Sequence, residues 1–163
     1  MLNKLLWVIS IIFISTISYA QDDQYIVDGG IGVFHSGQHS LSETKMFSLG
    51  IQEDLWGALK ERGTAGFWLD NAGNGKKDSG FAAGQLGWEV NRDGLIVGAF
   101  AGPCLITSPD SLLGGVFQFM DSINLGVQDN DNNYIGVFYR HFSSAGIESP
   151  NQGRDLIGIE VRF

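Results

Sequence analysis

The sequence predicts an all-β protein, an eight-stranded antiparallel transmembrane β-barrel of the outer membrane, and three observations predict it. First, the chain opens with an export signal. Lys4 supplies a positive n-region, Leu5 to Ile17 an apolar stretch, and Ser18-Tyr19-Ala20 a small-x-small cleavage site before Gln21. Second, about eight period-two segments follow, separated by turn residues and close to the roughly 9–11 residues a tilted strand needs to cross a bilayer. Third, the last of these carries Ile157, Ile159, Val161 and Phe163 on one face and Leu156, Gly158, Glu160 and Arg162 on the other. An apolar face beside a face that includes Glu and Arg fits a barrel with lipid outside and its own polar side chains within.

Composition sets the frame. Cleavage after Ala20 assigns residues 1–20 to a signal peptide and 21–163 to one barrel domain, too short for two domains of ordinary size. Loss of Lys4 moves the formal net charge from −8 to −9, which argues against nucleic acid as a partner. The single cysteine, Cys104, cannot form an internal disulfide and falls in an inferred outer loop. Mean hydropathy is +0.04, which excludes a helical span in the mature chain but not a barrel, since only alternate barrel residues need be apolar. The 23 glycines recur inside strand-like runs, where a small barrel needs little side-chain volume and sharp bending.

In order, the strands are expected at Ile26 to Gly37, Thr44 to Glu53, Arg62 to Asp70, Gly80 to Glu89, Leu95 to Gly102, Val116 to Gln128, Asn133 to Ser143 and Leu156 to Phe163. With a periplasmic N-terminus, the outer loops are Gln38 to Glu43, Asn71 to Ser79, Pro103 to Gly115 and Ser144 to Arg154. Asn91-Arg92-Asp93-Gly94 and Asp129-Asn130-Asp131-Asn132 make tight inner turns. Long outside and short inside is the outer-membrane pattern. Asp54 to Glu61 breaks it. That connection is too long for a tight turn and reads as an interfacial segment anchored by Trp56, with Leu55 to Lys60 as a short helical turn. Trp56, Trp68, Trp88, Tyr134 and Tyr139 are candidates for aromatic girdles at the interfaces. A soluble lipocalin-like barrel would require the inverse pattern, with Glu160 and Arg162 buried in an apolar cavity.

The chemistry gathers near the C-terminus. On a strand from Asn133 to Ser143, Ile135, Val137, Tyr139, His141 and Ser143 share one face, while Gly136 and Arg140 point the other way. The imidazole and hydroxyl thus emerge side by side on the apolar outer wall. Asp155 has the parity of Ile157 and Ile159, and a hairpin between the last two strands brings it beside them. Acyl transfer by serine needs such a base, an acid to orient it, and donors for the oxyanion. Alone, His-x-Ser is a weak signal, but an ionisable Asp facing lipid is expensive unless paired or functional.

The run His141-Phe142-Ser143-Ser144-Ala145-Gly146-Ile147, then Pro150-Asn151-Gln152-Gly153 and Asp155, resembles the C-terminal motif of the PagL-type lipid A 3-O-deacylases. Phe117-Gln118-Phe119-Met120-Asp121 with Gly126 is similar to the strand that precedes it in that family. The likeness is specific over about the last fifty residues and architectural before them. It implies an eight-stranded outer-membrane barrel that hydrolyses a 3-O-linked acyl ester of lipid A with no cofactor. It implies Ser143 as nucleophile, His141 as base and Asp155 as the acidic partner, a position usually held by Glu. Ser144 stands where the family typically has Asn, so part of the oxyanion site departs from the pattern, leaving Asn151 and the amide near Gly146 as donors.

The implied partners are lipopolysaccharide and outer-membrane lipid, and pairing of protomers as a homodimer is left open. Lys76 and Lys77 are better placed than inward-pointing Arg140 to meet lipid phosphates, with divalent ions as go-betweens. No metal site is expected: His35 and His39 read as loop surface, and Asp70 to Gly75 and Asp129 to Asn132 lack the full calcium-loop spacing. The competing reading is a non-catalytic structural or adhesion barrel whose motif has decayed at Ser144 and Asp155.

Overall fold

The computed structural model describes residues 23–33, 44–70 and 77–163. Residues 1–22, which hold the expected signal peptide, the expected outer loop Gln38 to Glu43 with His35 and His39, and residues 71–76 lie outside the described residues. Eight strands close into one antiparallel barrel in sequence order: β1 (Gln24–Val33), β2 (Lys45–Trp56), β3 (Leu59–Leu69), β4 (Ser79–Arg92), β5 (Leu95–Ile106), β6 (Phe117–Gln128), β7 (Tyr134–Ser143) and β8 (Arg154–Arg162). The barrel closes by pairing β1 with β8, for example Asp28 with Glu160, so these strands leave no open edge.

Period two governs both walls. Every strand places large apolar side chains on the exposed exterior, among them Leu49, Leu86, Val97, Ile123, Val137 and Ile159. A continuous belt of this kind belongs in hydrocarbon, not in water. At the end where Tyr25 pairs with Phe163, exposed Tyr25, Trp56, Trp88 and Phe163 form an aromatic rim. Two girdle candidates prove otherwise. Trp68 and Tyr134 point inward and are buried, because they share parity with Arg62 and Phe138 on their strands.

The bore is filled. Toward the Tyr25–Phe163 end, Glu160 accepts bonds from Arg62 (two at 3.1 Å), Asn124 (2.8 Å) and Arg162 (2.6 Å), and Arg162 also reaches Glu89 at 2.6 Å. Arg140 pairs with Asp28 at 3.0 Å. Toward the loop end, Trp68, Phe81 and Phe142 pack with ring centroids 5.2–5.6 Å apart, beside Met46, Met120 and Leu156. Close approach explains several glycines: a Cβ on Gly158 would lie 2.5 Å from the Phe138 ring and 2.2 Å from the Gly29 carbonyl oxygen.

The turns correct one expectation. The segment around Trp56 is a hairpin, not an interfacial helical turn. β2 runs to Trp56, which pairs with Leu59, and Gly57 at φ 58° opens a two-residue turn. That is the glycine-first arrangement that matches strand twist. The Arg92–Leu95 hairpin turns through Asp93 and Gly94, both at positive φ. In the β6–β7 turn Asp129 accepts bonds from the Asn133 side chain and from the Asn133 and Asp131 amides, which hold its carboxyl below the usual range. β5 also runs further than expected, to Ile106, which places Cys104 in the buried core instead of a loop.

Candidate active site

The candidate residues sit at the loop end of β7 and β8. Residues alternate along β7, so Tyr134, Phe138, Arg140 and Phe142 are buried while Ile135, Val137 and Tyr139 are exposed, with His141 and Ser143 partly so. Register places His141 directly opposite Asp155 on β8 and Asp121 on β6, and Ser143 opposite Phe119. The imidazole and carboxylate are therefore neighbours on the outer wall. His141 Nδ1 lies 2.6 Å from Asp155 Oδ1, with side chains 33% and 23% exposed. An Nδ1–H donated to that carboxylate leaves Nε2 unprotonated and able to accept a proton. The shorter Asp reaches the ring without help from a longer side chain.

Ser143 shares the outward face with His141. Among the described residues its hydroxyl has no hydrogen-bond partner. The following loop turns sharply. Ala145 and Gly146 adopt φ 50° and 82°, and the Ile147 amide donates to the Ser144 carbonyl at 3.0 Å. Two successive positive φ values match a type I′ turn, and a Cβ at Gly146 would meet nothing.

Ser144 and Asn151 act together. The Ser144 side chain is fully buried, and its hydroxyl bonds the Glu148 carbonyl (3.0 Å) and amide (3.3 Å) inside the loop. Its own backbone N–H donates to Asn151 Oδ1 at 2.7 Å. With Oδ1 so occupied, the amide orientation is set and the Asn151 Nδ2 donors are turned elsewhere. Gly146 and Asn151 are exposed, while Ser144 is buried.

Two neighbouring loops hold this arrangement. Gly114 N–H donates to the Pro150 carbonyl (2.7 Å), Gln152 N–H to the Leu112 carbonyl (3.0 Å), and buried Leu113 bridges to Asn151. Below them Arg154, the first residue of β8, binds Asp70 and Asp110 at 2.7 Å each, and Asp110 also caps the Leu112 and Leu113 amides. Lys77 is exposed at the same end, its backbone amide 3.3 Å from Asp110 Oδ2.

Two contributors have no part in the site as the sequence reads it, Tyr139 being only a girdle candidate there. Tyr139 donates its hydroxyl to Asp155 Oδ1 at 2.6 Å. The available signal was its shared face with His141, two residues on. Gly153, at φ 79°, lies against the imidazole: an added Cβ would sit 2.7 Å from His141 Cε1. The sequence carries no signal for that beyond the glycine itself.

Fold and surface together define a membrane-spanning barrel with a histidine–carboxylate pair on its lipid-facing wall. The sequence model of the family described as lipid A 3-O-deacylase (PagL) matches residues 29–163. The chain belongs to that family. It is 43% identical over 54 residues to the lipid A deacylase PagL of Bordetella bronchiseptica. That stretch covers 33% of this chain and 30% of the relative, less than a third of its length. The fold is similar to the crystal structure of the outer membrane enzyme PagL, with a TM-score of 0.61 and 21% identity over 85% of this chain and 98% of that one.

Proposed function

We propose that this protein is an outer-membrane esterase that removes the 3-O-linked fatty acyl chain of lipid A. Ser143 Oγ attacks the ester carbonyl while His141 Nε2 takes its proton. The same imidazole returns that proton to the leaving sugar oxygen, and water then releases the acyl group from Ser143 by the reverse path. Asp155 holds the ring through Nδ1 and stabilises the imidazolium. No cofactor enters this scheme, since the serine supplies the nucleophile. The observation that carries the reading is the 2.6 Å His141–Asp155 contact on the apolar outer wall beside Ser143, where only a substrate lying in the membrane can reach it. Family membership supports the substrate class. Exposed Lys77 at the loop end suits the phosphates of the same lipid.

Refolded barrel incubated with lipid A should yield a product lighter by one hydroxyacyl chain by mass spectrometry. Ser143→Ala should lower the rate by roughly four orders of magnitude or more. An unchanged rate in that variant would remove Ser143 from the mechanism, and a folded wild type inert toward lipid A would favour the non-catalytic barrel.

The oxyanion donors are assigned to Asn151 Nδ2 and the Gly146 amide. Asn151→Asp tests the first, because a carboxylate can still accept the Ser144 N–H that ties the loop while it removes the donor and sets a negative charge against the oxyanion. Loss of the one donor should lower kcat about 10²–10³-fold with the fold intact. A change of less than about threefold would place the donor elsewhere.

A further inference from the structure

Tyr139 faces lipid two residues before His141, where an aromatic on a barrel wall ordinarily serves as packing or an interfacial anchor. Its register position is more specific than that. Tyr139 pairs with Ile157 and His141 with Asp155, so Tyr139 and Asp155 are diagonal cross-strand neighbours on one face. A Tyr side chain is long enough to span that diagonal, and it does: the phenol hydroxyl lies 2.6 Å from Asp155 Oδ1, the oxygen that also meets His141 Nδ1 at 2.6 Å.

We infer that Tyr139 is a positioning residue for the proposed hydrolysis, acting through Asp155 to fix the imidazole. The inference rests on the reading of His141, Ser143 and Asp155 given above. An aspartate has few torsions, and its carboxylate here stands on a wall where competing water is scarce. Two charge-assisted bonds to one oxygen select a single rotamer of Asp155 and hence one orientation of the ring. Without the phenol, the carboxylate is free to rotate Oδ1 away from Nδ1, and Nε2 loses its aim at Ser143. Tyr139 touches neither substrate nor reacting atoms in this account. Its effect is wholly transmitted.

Tyr139→Phe keeps the ring, its area and its place on the wall, and removes one oxygen. On lipid A in detergent micelles, kcat should fall about tenfold with KM within twofold, since binding is untouched. In an Asp155→Ala background the same substitution should cost nothing further, because the group it acts through is gone. A proton spectrum of barrel carrying 15N-labelled histidine gives a readout independent of turnover. The wild type should show a sharp, exchange-protected His141 Nδ1–H signal far downfield, broadened or lost in Tyr139→Phe. Equal loss in both backgrounds, a raised KM with unchanged kcat, or an unaltered Nδ1–H signal would each overturn the inference. If the wild type leaves lipid A intact while the imidazole signal still responds to Tyr139→Phe, the proposed function falls and the positioning stands.

Discussion

Gly153→Ala is expected to lower kcat/KM about 10²-fold while the barrel still folds. The methyl carbon would arrive 2.7 Å from His141 Cε1, well inside the van der Waals separation of two carbon atoms. Something must shift. The backbone at Gly153 is held by its neighbours, Gln152 through the Leu112 carbonyl and Arg154 through two aspartates, so the imidazole is the mobile party. Turning the ring by about 1 Å is enough to break its aim, and a misplacement of that size typically costs about 10²-fold. Alanine also pays at φ 79°, on the order of 1 kcal/mol, which a loop at the barrel mouth can absorb without unfolding the strands. Kinetics on lipid A, with gel mobility of unheated against heated protein as the folding check, would decide it. Wild-type turnover in folded Gly153→Ala would mean the ring has room the structure does not show.

The contrast between Gly153 and Asp155 explains what the sequence could and could not disclose. Strand parity puts Asp155 on the outer wall whatever the loop length, provided β8 pairs with β7, and the register does set it opposite His141. The same rule gave Arg140, Glu160 and Arg162 to the bore. Parity applied to every aromatic would also have sent Trp68 inward with Arg62 and Thr64, and Tyr134 inward with Phe138. Residue type alone points these two to the interfaces, where neither is exposed. The rule fails where both faces see the same surroundings. Glu53 to Trp56 and Val90 to Arg92 lie beyond the apolar belt with neither face buried, so no alternation marked the β2–β3 hairpin as strand. Loops have no period at all. The Leu113–Asn151 bridge, the burial of the Ser144 hydroxyl and the left-handed Gly153 against the imidazole follow from how two loops fold over one another. No spacing in the chain encodes these.

A network of buried charges fills the bore, of which parity predicts Arg140, Glu160 and Arg162, and Glu160→Ala should show how much stability it carries. Within the bore Arg62, Arg140 and Arg162 stand against Asp28, Glu89 and Glu160, all buried, a balanced set of three and three. Glu160 is its hub, accepting from Arg62, Arg162 and Asn124, with Arg140 4.0 Å away. Removing it leaves three guanidinium groups facing two carboxylates in a packed interior. The rings beneath Arg62 (Phe100, 3.7 Å) and Arg162 (Tyr134, 4.0 Å) offset little of that. Breaking a buried pair from one side typically costs about 3–5 kcal/mol, so the urea midpoint for unfolding from lipid vesicles should drop by on the order of 1–3 M. Glu160→Ala combined with Arg162→Met, which removes charges of both signs, should recover part of the loss. Deacylation per folded molecule should stay near wild type throughout, because Ser143, His141 and Asp155 hang on the outer wall at the opposite end. A midpoint unmoved by Glu160→Ala would assign the fold's stability to the belt and the aromatic plug alone.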